Sequence, residues 1–390
     1  VLVTGYDILF FWVARMMIFS LFAMDGKHPF DVIALHGLVR DKNGKKMSKS
    51  KGNVIDPLEF MDKYGSDALR FALARGANPG TDQALAEEWI AGARNFATKI
   101  WNATRFAIMN GANVKGLLPE RSSLNHIDRW ILDELDRTIA SVDELYEIFE
   151  FAKASESLYH FAWDEVCDWY LELVKDTFSK GGPEAEKTKR VLGHVLDNLL
   201  RLMHPNMPFI SEELWIKLTG GESLVIAEWP TGSGHAKELE AHDVVDDMKQ
   251  LITEIRRFRS DQGIKNSARI NAEITGLTGP GTKYEDAIRF LVRLDVPGNN
   301  FSPSAKIEIG KFTVYFDLTG SVDVAAERAR LTKDLANIKK DRETAQVKLG
   351  NENFMAKAPM EVVSEIRSRL EFCDSEIQRI ESLLSSLPNS

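Results

Sequence analysis

Cysteine is nearly missing from this chain: two residues, Cys167 and Cys373, among 390. They stand far apart with no Cys-x-x-Cys spacing, so neither a disulfide framework nor a thiolate metal site is indicated. Both fall in apolar-periodic helical segments and read as small core residues of a protein kept in a reducing cytoplasm. Long apolar runs are scarce as well. The longest, Ile8 to Met24, is interrupted by Arg15 and reads as too short to span a membrane. Nor is there an excess of basic charge, since 49 Lys and Arg against 58 Asp and Glu leave a formal charge of −9. Such a chain does not coat polyanions indiscriminately, although a local basic patch can still bind one. The chain has no initiator methionine and no targeting pattern. Its opening, Val1-Leu2-Val3-Thr4-Gly5, reads as a buried parallel strand running into a helix, and a fragment of a longer polypeptide is therefore expected.

A hydrophobic share of 44% and a charged share of 27% are ordinary for a globular protein. The length suffices for two or three domains with real cores. Against this ordinary background one segment stands out, RDKNGKKMSKSKGNVID from Arg40 to Asp56. Lys42, Lys45, Lys46, Lys49 and Lys51 crowd a stretch punctuated by Gly44, Gly52 and Asn53. Like charges packed so densely repel unless a polyanion visits. Ammonium groups, serine hydroxyls and flexible backbone suit a triphosphate whose charge builds up as pyrophosphate leaves. A solvated basic loop is the plain alternative.

Residues 1–84 alternate strand and helix. Val1 to Thr4 reads as a strand, Ile8 to Met24 as a helix and Val32 to Leu35 as a second strand. Asp56-Pro57 reads as a helix cap followed by proline in the first turn, and Ser66 to Ala74 as the next helix. This is half of a doubly wound nucleotide-binding domain, whose ligands sit at the carboxyl ends of its strands, here Thr4-Gly5 and His36-Gly37. Residues 85–275 repeat apolar side chains at spacings of three and four and predict a helical bundle. Residues 276–320 predict a small α/β element, with mixed character from about Ala268 to Phe316, short strands such as Phe312 to Phe316, and mixed character also at Gly220 to Pro230. In residues 321–390 heptad positions run Leu331, Leu335, Ile338, Arg342, Ala345, Leu349, then Val363, Ile366, Leu370, Cys373, Ile377, Ile380, Leu384, Leu387. Two such helices about a turn predict an antiparallel coiled-coil hairpin, a rod roughly 40 Å long at about 1.5 Å per residue. The fold expected is thus mainly α with a partial α/β Rossmann-like portion.

Lys46-Met47-Ser48-Lys49-Ser50 followed by Gly-Asn-Val-Ile-Asp-Pro resembles the second signature of class I aminoacyl-tRNA synthetases. Val3 to Met16 (VTGYDILFFWVARM), Leu35 to Asp41 (LHGLVRD) and Tyr64 to Phe71 (YGSDALRF) resemble the valyl branch of that family. His204 to Trp215 (HPNMPFISEELW) is similar to the anticodon-binding domain shared by valyl, isoleucyl and leucyl members. Lys348 to Phe354 (KLGNENF) lies at the turn of a hairpin that resembles the tRNA-contacting arm of the valyl branch. A cysteine-rich zinc module, frequent at the end of isoleucyl members, is absent. So are a first signature of the His-Ile-Gly-His type and room for an editing insertion. The resemblance therefore implies the carboxyl-terminal portion of an ATP-dependent valine–tRNA ligase, inactive in adenylation by itself. An isoleucyl-type fragment and a non-catalytic tRNA-binding module are the alternatives.

What the resemblance implies for the site is specific. Lys49 and then Lys46 neutralise the departing pyrophosphate, with Ser48 and Ser50 as hydroxyl donors, Met47 between them, and Gly44 and Gly52 letting the loop close. Lys42, Lys45 and Lys51 either assist or only keep the loop soluble. Gly5 lets ligand approach the backbone, and Asp7 accepts from a ribose diol or merely caps a helix. Thr4 and His36 neighbour the same ligand. Trp12 faces an amino-acid pocket or is a plain core aromatic, and His204 is structural. Arg256, Arg257, Arg259 and Lys265 flank Phe258 and either contact tRNA or form a solvated helix face. The implied partners are tRNA(Val), valine and ATP with its Mg2+, with no protein-bound metal, acting on a cytoplasmic monomer. Apolar faces left without a partner are expected to favour aggregation.

Overall fold

The computed structural model describes residues 1–48, 50, 52–54, 56–318, 324–350 and 360–386. It divides into two compact units, 1–245 and 246–390. In the first unit β1 (Leu2–Gly5) lies parallel to β2 (Ile33–His36), with Gly5 opposite His36 at the carboxyl ends. Parallel strands need a crossover. Here it is a continuous helical run: a 3-10 turn at Tyr6–Ile8, a π-helical turn at Leu9–Val13, then α1 (Ala14–Ala23).

Two expectations change here. The strand β1 is only half buried, since Leu2 is partly covered and Val3 exposed while Thr4 and Gly5 are covered. The run Tyr6–Ala23 is 18 residues long with mean hydropathy 1.6, so by length and composition it does reach what a membrane crossing needs. Arg15 does not shorten it enough, because its neighbours are Phe, Trp, Ile and Met. Only Val13 of this run is buried; Phe10, Phe19 and Phe22 are 75%, 70% and 89% exposed.

A second parallel pair, β3 (Val39–Arg40) and β4 (Gln83–Ala84), brackets α2 (Pro57–Tyr64) and α3 (Ser66–Gly76). The helix α2 starts as its sequence predicts: Asp56 accepts from the Leu58 amide at 2.9 Å and Pro57 fills the first turn. Gly65, at φ 90°, makes the corner into α3, a conformation that side chains disfavour.

The bundle follows with α4 (Glu87–Met109), α5 (His126–Glu147), α6 (Phe151–His160), α7 (Leu171–Lys180), α8 (Gly182–Met203) and α9 (Pro208–Thr219). A ten-residue π-helical stretch, Phe161–Tyr170, joins α6 to α7 without a break. Rings fill the space between α3, α4 and α6: Phe71 stacks on Phe96 at 4.9 Å, and Phe96 meets Tyr159 at 5.0 Å. Trp130 and Leu199 are fully enclosed, and Cys167 is buried, which pushes its thiol up to about 12. Residues 220–230 hold a 3-10 turn, Leu224–Ile226, and no strand. The backbone of Leu224 is instead held by the Glu212 carboxylate at 3.0 Å.

One helix, α10 (Leu239–Asp261), runs from the first unit into the second. The second unit contains a four-stranded sheet in the order β6 (Leu294–Asp295), β5 (Ile270–Thr275), β8 (Phe312–Asp317), β7 (Ala305–Ile309), with α11 (Glu285–Val292) before β6. Strands β5 and β8 alternate covered and open residues, so one face carries the core. Ile270–Thr275, inside the helical region as bounded at residue 275 but also inside the stretch of mixed character from about Ala268, is an inner strand of this sheet.

Two long helices, α12 (Val324–Leu349) and α13 (Met360–Ser386), pair antiparallel. Leu331 packs on Ile380, with Leu335, Ile338 and Leu384 around them, while Lys339–Glu381 (2.8 Å), Arg342–Asp374 (2.5 Å) and Arg369–Asp341 (2.8 Å) bridge the flanks. The heptad positions of the described residues are buried or half-buried, as the repeat predicts. Arg342 fits that seam because its guanidinium leaves it for Asp374. Leu387 and most of the turn, residues 351–359, lie outside the described residues.

Candidate functional site

The lysine loop is tied at its root. Asp41, 8% exposed, accepts from the Asn43 amide at 3.0 Å, the Lys45 amide at 2.8 Å and the Asn53 side-chain amide at 2.8 Å. These donors, the Asn53 amide foremost, hold its carboxyl below the usual carboxylate range. Asn53 works in both directions: its carbonyl accepts from the Ser48 amide at 3.0 Å, and its amide reaches the Lys46 carbonyl at 3.3 Å. Ser48 and Ser50 share a hydroxyl contact of 3.2 Å. Gly44 and Gly52 carry φ of +74° and +64°, the left-handed values that let the chain reverse on both sides of the lysines. Lys42, Lys45 and Lys46 are exposed, and Met47 is half-buried. Lys49 and Lys51 lie outside the described residues.

The strand ends meet a few residues away. A Cβ placed on Gly5 would lie 2.8 Å from the Asp7 carboxylate and 3.6 Å from the His36 ring, so Gly5, Asp7 and His36 share one corner. The corner is open: Asp7 and His36 are both exposed, whereas Thr4 is buried with its hydroxyl on the Gly5 carbonyl at 3.2 Å. His36 Nδ1 lies 2.8 Å from the Gly37 carbonyl, which can only accept, so Nδ1 is the donor there. Gly37 is enforced by close approach, since a Cβ there would fall 1.7 Å from the Thr81 carbonyl oxygen. Asp7 sits inside a 3-10 turn and caps no helix through its side chain.

Asp82 joins strand corner and loop root. It accepts from Tyr6 Oη at 3.0 Å and from the Leu38 amide at 2.8 Å, and it pairs with the Arg40 guanidinium. The Leu38 amide, followed by Arg40 and Tyr6, holds its carboxyl low. The clasping roles of Asp41, Asn53 and Asp82 were not visible in the sequence because each is an ordinary polar residue beside a conspicuous motif. The available signal was the flanking of the lysines by an aspartate and an asparagine, which are able to fold a loop back on itself.

The tRNA-facing candidates are split. Arg256, Arg257 and Lys265 are exposed, with Arg257 3.9 Å from Glu254. Phe258 and Arg259 do not join them. The Phe258 ring stacks on Phe316 at 4.2 Å. Arg259, 5% exposed, donates to the Lys265, Ala268 and Arg293 carbonyls at 3.1, 2.6 and 3.5 Å. Both secure α10 on the sheet, a packing duty that hydrophobic spacing alone does not separate from a binding face. Trp12, 43% exposed, is not a core aromatic of this chain. His204 bonds Ser211 at 2.8 Å across the α8–α9 corner, a structural role. Among the described residues no group of three or more His, Cys, Asp or Glu stands together as a metal site.

Comparison with known proteins puts this arrangement in a class. Residues 1–86 match the family of class I tRNA synthetases for isoleucine, leucine, methionine and valine, and residues 128–274 match the anticodon-binding domain of tRNA ligases. Residues 323–388 match the valyl-tRNA synthetase tRNA-binding arm. The chain is therefore built from class I aminoacyl-tRNA synthetase parts. It is 57% identical over 390 residues to the valine–tRNA ligase of Streptomyces coelicolor, covering 100% of this chain and 44% of that protein. With the corresponding ligase of Streptomyces avermitilis the identity is 55% at the same coverage, and with that of Nocardia farcinica it is 51%, covering 99% and 45%. The chain belongs to the valine–tRNA ligase family and spans about 44% of the length of these relatives.

Proposed function

We propose that this chain supplies the pyrophosphate-handling loop and the tRNA-holding surfaces of a valine–tRNA ligase. That enzyme activates valine with ATP and transfers it to tRNA(Val). The observation that carries this reading is the clasped lysine loop: Asp41 and Asn53 fold it back while Asp82 ties its root to the corner of Gly5, Asp7 and His36. The preorganised backbone costs little at the moment charge develops, and exposed ammonium groups are suited to phosphate oxygens. In this reading Lys46 and Lys49 neutralise the leaving pyrophosphate, and Ser48 and Ser50 donate from their hydroxyls. Thr4, Gly5, Asp7 and His36 border the adenylate; the open backbone at Gly5 admits it and Asp7 accepts from its ribose. Mg2+ arrives with the nucleotide as part of the substrate. The enzyme works in the cytoplasm as a monomer, and the apolar face of Tyr6–Ala23 serves packing within the ligase rather than a membrane.

The chain contains no His-Ile-Gly-His element, the other phosphate-binding half of such sites. By itself it is expected to show no valine-dependent pyrophosphate exchange, yet to bind tRNA(Val) in preference to other tRNAs with a steep salt dependence. In a ligase that includes this segment, Lys49→Ala or Lys46→Ala is expected to slow pyrophosphate exchange about a hundred- to thousand-fold. Unchanged turnover in both variants would remove the basis of the reading.

A further inference from the structure

The rod formed by α12 and α13 meets α10 through polar contacts. Arg379 of α13 donates from Nη1 to Asp261, the last residue of α10, at 2.8 Å. The same guanidinium grips Glu376 from Nη2 at 2.9 Å and from Nε at 3.0 Å. Arg379 is the residue before Ile380, which with Leu331 forms the buried apolar pair of the hairpin. Beside this junction lies a cavity of about 330 Å³, lined by Ser260, Asp261, Leu331, Asp334, Glu376 and Arg379 among others. This cavity opens to solvent and is lined largely by polar groups, so apolar packing there contributes little to fixing the angle between rod and helix. A planar fork with two carboxylate partners on different elements does fix a direction.

We propose that Arg379 is a positioning residue that latches the arm to the end of α10 and holds it ready for tRNA. Two facts give the latch this purpose. The exposed cations Arg256 and Arg257 lie on the same last turns of α10 that end in Asp261, and the Glu376 carboxyl is held low by Arg379 first and by Arg257 in addition. A polynucleotide held by those cations and by the arm together needs a set angle between them. The lever is long as well: at about 1.5 Å per residue the 26 residues of α12 make a rod of roughly 40 Å, so a 10° swing at the root moves the tip by about 7 Å. Fixing the arm before binding removes an ordering cost from the complex. The link to tRNA rests on the function proposed above, whereas the latch itself does not.

The test uses the full chain labelled at Glu273→Cys on the sheet and Lys348→Cys on the arm, both exposed positions, while the native Cys167 and Cys373 are buried. Distance distributions between the labels are read alongside tRNA(Val) affinity. One narrow distribution is expected for the parent chain, a broadened one for Arg379→Ala, and a narrow one again for Arg379→Lys. Asp261→Asn leaves every hairpin residue intact and is expected to broaden it likewise, which covers the case in which Arg379→Ala disturbs the hairpin. If the freed arm is correctly placed about a tenth of the time, affinity falls about tenfold in Arg379→Ala and Asp261→Asn. A narrow distribution in Asp261→Asn overturns the latch. Broad distributions with unaltered tRNA affinity overturn its purpose.

Discussion

The helical bundle and the strand-and-loop segment before it use the same apolar vocabulary in opposite ways. In the bundle, Phe96, Trp130, Tyr170 and Leu199 are sealed, and even the carboxylate of Asp128 is 0% exposed. That carboxylate accepts from Tyr170 at 2.7 Å, Thr188 at 2.6 Å and Asn125 at 2.9 Å, so each oxygen has a partner. In residues 6–24 a more hydrophobic sequence leaves Phe10, Phe19 and Phe22 in water. Burial in the bundle secures stability; around the corner of Gly5 and His36 the contacts are polar, shallow and suited to holding a loop. Composition alone does not separate the two, because hydrophobicity contributes to folding only where another surface covers it.

The comparison can be broken by unequal damage. Trp130→Ala is expected to cost about 3–5 kcal/mol in denaturant unfolding, through transfer and cavity terms. Loss below about 1 kcal/mol would show that the bundle is not the stabilising half. Next in size is a pH effect. Burial raises the Asp128 carboxyl from 3.8 to about 6, above its unfolded value. Between those values the folded state holds the extra proton, so stability is greatest below the window and falls as pH rises through it, by roughly 2–3 kcal/mol. Above the window the contribution is flat. Asp128→Asn is expected to erase that slope, and a slope unchanged in the variant would assign it to another group.

Smaller effects belong to the other region. Asn53→Ala releases the clasp on the lysine loop. Hydrogen exchange at the Lys45 and Ser48 amides is expected to quicken while global stability shifts by no more than about 0.5 kcal/mol. Protected amides in the variant would mean that Asp41 holds the loop unaided. Smallest of all, Phe22→Ser is expected to leave unfolding within about 0.5 kcal/mol of the parent and to reduce self-association measured by sedimentation. A large stability loss would show that this ring is covered after all.

Much of the fold could be read directly, and the exceptions share a cause. Asp56-Pro57 announced its helix, and the heptads of Leu331 to Leu384 announced the hairpin, because caps and periodic stripes are local properties of the chain. The mixed character from about Ala268 points to short strands, but the pairing of Ile270–Thr275 was hidden because its partner, Phe312–Asp317, lies some forty residues away. At the site, the lysines and the glycines around them were legible, and the clasp was not. Asp41 and Asn53 become a unit only when the loop closes.

Spacing and local chemistry thus settled the helices, the heptad arm and the position of the cationic loop, since each depends on neighbours within a few turns. Tertiary structure decided which of Arg256 to Arg259 stay in solvent, which carboxylate is sealed and which apolar run lies bare. Those outcomes depend on what the far parts of the chain bring against each residue, and burial is a property of the assembled surface rather than of any segment.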